Sequence, residues 1–145
     1  MATSVTVRVP ATSANLGPGF DCLGLALDLW ATISLDLSGR VSNNDPMAAM
    51  AMTAARRVFF ECGREPPAGL SAGYEGEIPL ARGLGASAIA RVGGALAANE
   101  LAGGKLNQEA VLAIATELEG HADNVTPALF GGLQVSVLDG QRVLH

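Results

Sequence analysis

Residues 79–88 read Pro-Leu-Ala-Arg-Gly-Leu-Gly-Ala-Ser-Ala, a glycine-rich turn running straight into an alanine-rich helical stretch, and the chemistry of that arrangement is phosphate binding. The first amides of a helix lack intrahelical partners and sit at the positive end of the helix dipole, so an anion placed there meets donors and favourable charge together. Gly83 and Gly85 have no Cβ, which lets backbone amides approach phosphate oxygens and reach dihedrals closed to other residues. The Ser87 hydroxyl follows at a position to touch a phosphate or its magnesium. The plain alternative is a helix entrance whose glycines serve only tight packing. Gly83 to Ala88 also fits the dinucleotide pattern G-x-G-x-x-A, which wants a βαβ unit with an acidic residue roughly 20 positions on. Here the nearby acid, Glu100, still lies inside the helical pattern, and Pro79 breaks the strand where such a turn would begin.

The elements that must position this loop are legible from periodicity and capping. Val5, Val7 and Val9 alternate with Thr6 and Arg8, the period-two pattern of a half-buried strand, ended by Pro10. Residues 11–20 hold two glycines, a proline and three small polar residues, and are expected as a loop. Odd positions from Leu23 to Leu37 are apolar, which predicts a long amphipathic, antiparallel strand. Asp45-Pro46 predicts an N-cap and first helical position, with Met47, Met50, Ala54 and Val58 recurring at helical spacing to about Glu61.

After a loop at Pro66-Pro67, residues 70–78 form a modest strand leading to the phosphate loop. A second helix spans about Ser87 to Leu101, and Gly93-Gly94 in its middle, each costing roughly 1 kcal/mol against alanine, implies close approach to a sheet. Asn107 caps a third helix through Glu117 and Glu119, stopped by Gly120, and residues 123–130 form a short fourth. Leu133, Val135 and Val137 then alternate toward an Asp139-Gly140 hairpin turn.

A chain of 145 residues with 49% hydrophobic content is expected to form one domain with a sizeable core. Nine basic against fourteen acidic residues, a formal charge of −5, argue against nucleic acid and against an anionic membrane surface. Cys22 and Cys62 form no Cys-x-x-Cys pair and accompany no histidine cluster, so they are expected as reduced thiols in a cytoplasmic protein. No signal peptide or spanning helix is read at the N-terminus or elsewhere.

Three segments in this order, Val9 to Asp21 (Val-Pro-Ala-Thr-Ser-Ala-Asn-Leu-Gly-Pro-Gly-Phe-Asp), Pro79 to Ala88, and Glu119 to Gly132 (Glu-Gly-His-Ala-Asp-Asn-Val-Thr-Pro-Ala-Leu-Phe-Gly-Gly), resemble the N-terminal half of the homoserine kinases, within the GHMP kinase superfamily. The resemblance runs from about Val5 to Val137. It implies an α+β fold with a mixed or antiparallel sheet, helices on one face and a left-handed βαβ crossover. It implies that residues 1–145 are the ATP-binding domain and that the C-terminal domain, with the basic residues that grip the substrate carboxylate, is absent from this sequence.

The reaction implied is transfer of the ATP γ-phosphate to the side-chain hydroxyl of L-homoserine, with Mg²⁺, in threonine biosynthesis. Asn15, Asp21 and His121 match the substrate-binding positions of that family. Asn124 matches the catalytic position, where it would orient the attacking hydroxyl, since an amide is no general base at neutral pH. The loop residues Pro79, Arg82, Gly83, Leu84, Gly85, Ala86 and Ser87 match the nucleotide-binding positions. Ser87 and Glu119 match the metal ligands, with Glu117 as the competing carboxylate.

Ala86 departs from the family pattern, which has the first of two serines there, and Asp45-Pro46 does not reproduce the segment near the adenine pocket. Two alternatives stay open at this point. One is a non-catalytic or truncated nucleotide-binding module, and the other is a kinase for another small alcohol, such as a mevalonate-type enzyme. The sheet edge beside the last hairpin is expected to invite homodimerisation.

Overall fold

β1 (Ser4–Leu16) and β2 (Gly19–Asp36) form a long antiparallel hairpin in the computed structural model, which describes residues 2–41 and 44–145. β3 (Ser71–Glu75) pairs antiparallel with Thr32–Asp36 of β2, and β4 (Leu133–Val135) pairs antiparallel with Leu23–Leu25 of the same strand. β3 and β4 therefore run parallel to each other. They are connected through α2 (Ala86–Leu101), α3 (Gln108–Glu119) and α4 (Val125–Phe130), while α1 (Pro46–Glu61) connects β2 to β3. A separate hairpin, β5 (Val137–Asp139) and β6 (Arg142–Leu144), closes the described chain.

The expected loop over residues 11–20 is instead the continuation of the hairpin, with only Gly17 and Pro18 outside the strands. Two physical facts reconcile the turn-rich composition with a strand. β1 lies at the edge of the sheet, so Pro10 withholds no hydrogen bond from a neighbour, and the register shifts at Pro10/Thr12 and Ala14/Leu16 absorb the irregular residues as bulges. Leu133 to Val137 is likewise two strands, because Ser136 breaks the run and donates its amide to the Cys22 carbonyl at 2.8 Å.

One face of the sheet carries the core. Val9, Ala11, Ala31, Ile33 and Leu35 are buried beneath α1 and α2, whose Ala51, Val58, Phe59, Ile89 and Val92 complete the layer. Each of the larger aliphatic and aromatic side chains in it contributes about 1.5–3 kcal/mol through removal from water. The opposite face is wet: Thr6 and Ser34 share an exposed hydroxyl hydrogen bond, and Arg8 lies over the Trp30 ring at 5.0 Å. α1 and α2 cover the half of the hairpin around Ala31 to Leu35, and α4 meets the other half at the buried Gly24 of β2, beside Asp123 and Pro127. Further along, Leu25 and Leu29 of the expected apolar face remain exposed, together with Leu133 and Val135 of β4.

The paired glycines of α2 serve two neighbours. A Cβ on Gly93 would come within 2.5 Å of Ile33 on the sheet, and a Cβ on Gly94 within 2.3 Å of the Ala51 carbonyl oxygen on α1. Successive helix residues point about 100° apart, so one glycine lets the helix onto the sheet and the next lets a second helix onto the first.

The capping expectations hold at α1 and α3. Asp45 accepts the Met47 amide at 2.7 Å, Asn107 accepts the Ala110 amide at 2.9 Å, and Gly120 ends α3 in the left-handed region at φ 89°.

At the end of β2 the Asp36 carboxylate accepts from the Ser38 hydroxyl at 2.6 Å and from the Ser38 and Arg40 amides, and these bonds hold its pKa below the usual aspartate value. A depressed folded-state pKa stabilises the protein above the unfolded value, and that contribution is lost as pH falls through the folded one. Asp36→Asn should therefore be less stable than the parent at pH 7, and urea unfolding curves of the two should converge as the pH drops below 3.8, the ordinary value.

Candidate functional site

Three chain segments meet beside the N-terminus of α2. Thr12, fully buried on β1, donates its amide side of the strand to the loop through Thr12 N–H to the Leu84 carbonyl at 3.1 Å, and donates its hydroxyl to Asn124 Oδ1 at 2.7 Å. Gly85 caps α2 in the left-handed region at φ 65°, with no room for a side chain: a Cβ there would lie 2.0 Å from Thr12 Oγ1 and 3.1 Å from Asn124 Oδ1. Gly83 is also left-handed, at φ 72°, but faces open space. Pro79, Arg82 and Gly83 are exposed, Leu84, Gly85 and Ser87 half-buried, and Ala86 buried. The turn thus presents its outer face to solvent while its inner face rests on Thr12 and Asn124.

Ser87, in the first turn of α2, donates its hydroxyl to Glu119 Oε1 at 2.6 Å. Glu119 ends α3 with its side chain 6% exposed, and Arg91, one turn beyond Ser87 on α2, donates to the other carboxylate oxygen. Burial pulls the Arg91 guanidinium below the ordinary arginine pKa, and the adjacent carboxylate is the counter-charge that makes its burial tolerable. The competing Glu117 points elsewhere: it is 63% exposed and pairs with Arg57 on α1 at 3.3 Å. A hydroxyl and a carboxylate in contact are the hard oxygen donors a magnesium ion takes, so Ser87 and Glu119 fit such an ion. Among the described residues no three His, Cys, Asp or Glu side chains converge, so phosphate oxygens and water would have to complete the shell.

The third segment is organised by Asp123, which is 1% exposed. Its Oδ1 accepts from His121 Nδ1 at 2.6 Å and from the Asn124 amide at 3.0 Å. A carboxylate can only accept, so the His121 ring carries its hydrogen on Nδ1 and turns Nε2 away from Asp123, 3.8 Å from Glu119. His121 and Asp21 line one cleft of about 340 Å³ with Phe20, Cys22 and Ser136. Asp21 reaches it from the start of β2, and both it and Asn15, near the end of β1, adopt left-handed backbone, φ 56° and 58°, a conformation that Asn and Asp tolerate better than other side chains. Asn15 Oδ1 accepts the Asp21 amide at 2.7 Å, bracing the hairpin tip.

The fold therefore brings together Ser87 with Glu119, Asn124 with Gly85, and Asp21 with His121. Asn15 stands one step back, its side-chain oxygen used on the hairpin. Three residues with roles in this geometry carry no assignment from sequence: Thr12, Asp123 and Arg91. Thr12 and Asp123 lie inside the quoted motifs, whereas Arg91 has no sequence signal beyond its spacing of one helical turn from Ser87. A second cavity, about 400 Å³ between α1, α3 and the β5–β6 turn, is lined by Arg57, Glu61 and Glu117 and by none of Ser87, His121 or Asn124.

Residues 48–132 match the family model of the GHMP kinases N terminal domain, a match that contains the loop, Glu119, His121 and Asn124. The chain belongs to the GHMP kinases. This GHMP kinase domain is 45% identical to a homoserine kinase of Moorella thermoacetica over 95% of its own length and 50% of the relative's. It is 44% identical to a homoserine kinase of Cutibacterium acnes over 100% of its length and 54% of the relative's. The crystal structure of homoserine kinase from Cytophaga hutchinsonii superposes with a TM-score of 0.78 at 31% identity, over 93% of this chain and 49% of that one. The chain thus spans about half the length of the relatives it matches.

Proposed function

We propose that this GHMP kinase domain is the ATP-binding half of a homoserine kinase, which phosphorylates the side-chain hydroxyl of L-homoserine. The observation that carries the reading is the hydrogen bond from Thr12 to Asn124 beneath Gly85, since it joins the first and third motifs to the phosphate loop. The amides from Gly83 to Ser87 hold the nucleotide phosphates. Ser87 and Glu119 hold Mg²⁺, which when bound neutralises charge on the phosphates. Asp21 pairs with the substrate ammonium, with His121 beside it and Asn15 holding the hairpin tip in place.

Asn124 orients the reacting hydroxyl. Its Oδ1 is engaged by Thr12, so the groups it offers a ligand are amide donors, and these position an oxygen without accepting its proton. Asp123 fixes both neighbours at once, the ring of His121 and the backbone of Asn124.

The remaining half of the relatives' length packs, in this proposal, on the exposed apolar strip of Leu25, Leu133 and Val135 and supplies the cations for the substrate carboxylate. The protein works in the cytoplasm, a placement supported by two free cysteines, and no described helix is long and apolar enough to cross a membrane.

An assay coupling ADP release to L-homoserine tests the reading. Turnover that falls about a hundredfold in Asn124→Ala, the cost of losing one positioned donor, supports it. Absence of ATP binding by the chain overturns the nucleotide reading, and a preference for mevalonate over L-homoserine overturns the substrate.

A further inference from the structure

We propose that Arg91 is a built-in counter-cation that competes with the divalent ion for Glu119. The inference rests on the reading of Glu119 and Ser87 as that ion's ligands.

Its basis is a conflict over one carboxylate. Glu119 has two oxygens: Ser87 donates to Oε1 and Arg91 to Oε2, and the carboxylate is 6% exposed. Both oxygens are thus satisfied before any metal arrives. A hydroxyl is no obstacle, because Ser87 turns its hydrogen away and offers the same oxygen to the ion as a ligand. A guanidinium is a true competitor, since it carries a full positive charge, has no lone pair to offer, and remains protonated at any physiological pH.

The competitor is also well held. Arg91 stands four residues from Ser87 on α2, so both side chains leave the same helix face toward Glu119. Its side chain is 23% exposed, which leaves a route by which it can swing to solvent or to the nucleotide phosphates once an ion takes the carboxylate. No other acidic side chain among the described residues pairs with Arg91, so on leaving Glu119 its charge passes to solvent or to an incoming anion. The same contact that holds Glu119 in position weakens its capture of the ion and makes capture coupled to the arrival of phosphate, which gives Arg91 a second partner.

The test is a titration of the ¹⁵N-labelled chain with Mn²⁺ in the absence of nucleotide, reading paramagnetic loss of the Ser87 and Gly120 amide signals. Removing the charge in Arg91→Met should tighten Mn²⁺ binding about tenfold, the usual weight of a charge-assisted hydrogen bond. Arg91→Lys keeps the charge, loses the fork, and should fall between the two; it carries the test if the amide spectrum shows Arg91→Met unfolded. Adding Glu119→Gln to Arg91→Met should erase the gain.

Equal or weaker binding in both Arg91 variants, with Glu119→Gln still lowering affinity, overturns the competition and leaves Glu119 as the ligand. Binding that ignores Glu119→Gln in every background, or no broadening at those amides in any of them, removes Glu119 from the metal site and the inference with it.

Discussion

Gly24→Ala should lower the melting temperature by about 10 °C, the equivalent of about 3 kcal/mol in a chain of this length, as read by calorimetry or circular dichroism. Gly24 lies on β2 between Ala14 and Gln134, and a Cβ there would sit 1.8 Å from the Asp123 carbonyl oxygen and 2.9 Å from both the Asp123 carbonyl carbon and Pro127 Cγ. The obstructing atoms are backbone at the start of a short helix, not the end of a flexible side chain, so relief requires the strand and α4 to separate. Folded proteins hold only about 5–15 kcal/mol in reserve, which makes this a large fraction of the total. The consequence reaches chemistry as well, because the segment that must move is the one whose Asp123 side chain holds His121 and the Asn124 amide. A melting temperature unchanged within 2–3 °C, roughly the effect of under 1 kcal/mol, would show that β2 does not press on that segment.

Gly85→Ala should remove nucleotide binding by the isolated chain, measured by titration with a fluorescent ATP analogue. Two costs combine. The left-handed φ of 65° is strained for alanine by roughly 1 kcal/mol, and the new methyl would overlap Thr12 Oγ1 at 2.0 Å. Thr12 is fully buried and cannot retreat, so the loop must lift from β1, turning its amides off target and breaking the Thr12 to Asn124 bond. Turnover should then fall below that of Asn124→Ala, since this single change disturbs the proposed phosphate loop and Asn124 together. Nucleotide affinity equal to that of the parent would mean that the phosphates do not rest on this turn.

These two glycines differ in what a reader of the sequence can see. Gly85 belongs to a recognisable loop, and its role in close approach is legible from its neighbours. Gly24 sits among alternating leucines and reads as one more strand position; only the packing of β2 on the start of α4 gives it meaning.

The same division holds for the acidic candidates. Glu117 and Glu119 are two residues apart on one helix, hence about 200° apart around its axis, so only one can face Ser87. Periodicity establishes that they diverge, and the docking of α3 on α2 decides that Glu119 is the one that turns inward.

What the amino-acid order determined by itself is everything encoded within a turn or two of chain. That includes α1 from Asp45-Pro46, α3 between Asn107 and Gly120, the glycine-rich turn before α2, and the resemblance that groups the three motifs. The tertiary structure alone decided that residues 11–16 and 19–20 are strand, that the apolar face of β2 is buried at Ala31, Ile33 and Leu35 but exposed at Leu25 and Leu29, and that Thr12, Asp123 and Arg91 join the candidate site. The physical reason is range. Caps, turns and periodic faces arise from contacts between near neighbours, whereas the bond from Thr12 to Asn124 spans 112 residues and the one from Arg91 to Glu119 spans 28, so neither exists until the sheet and helices have packed.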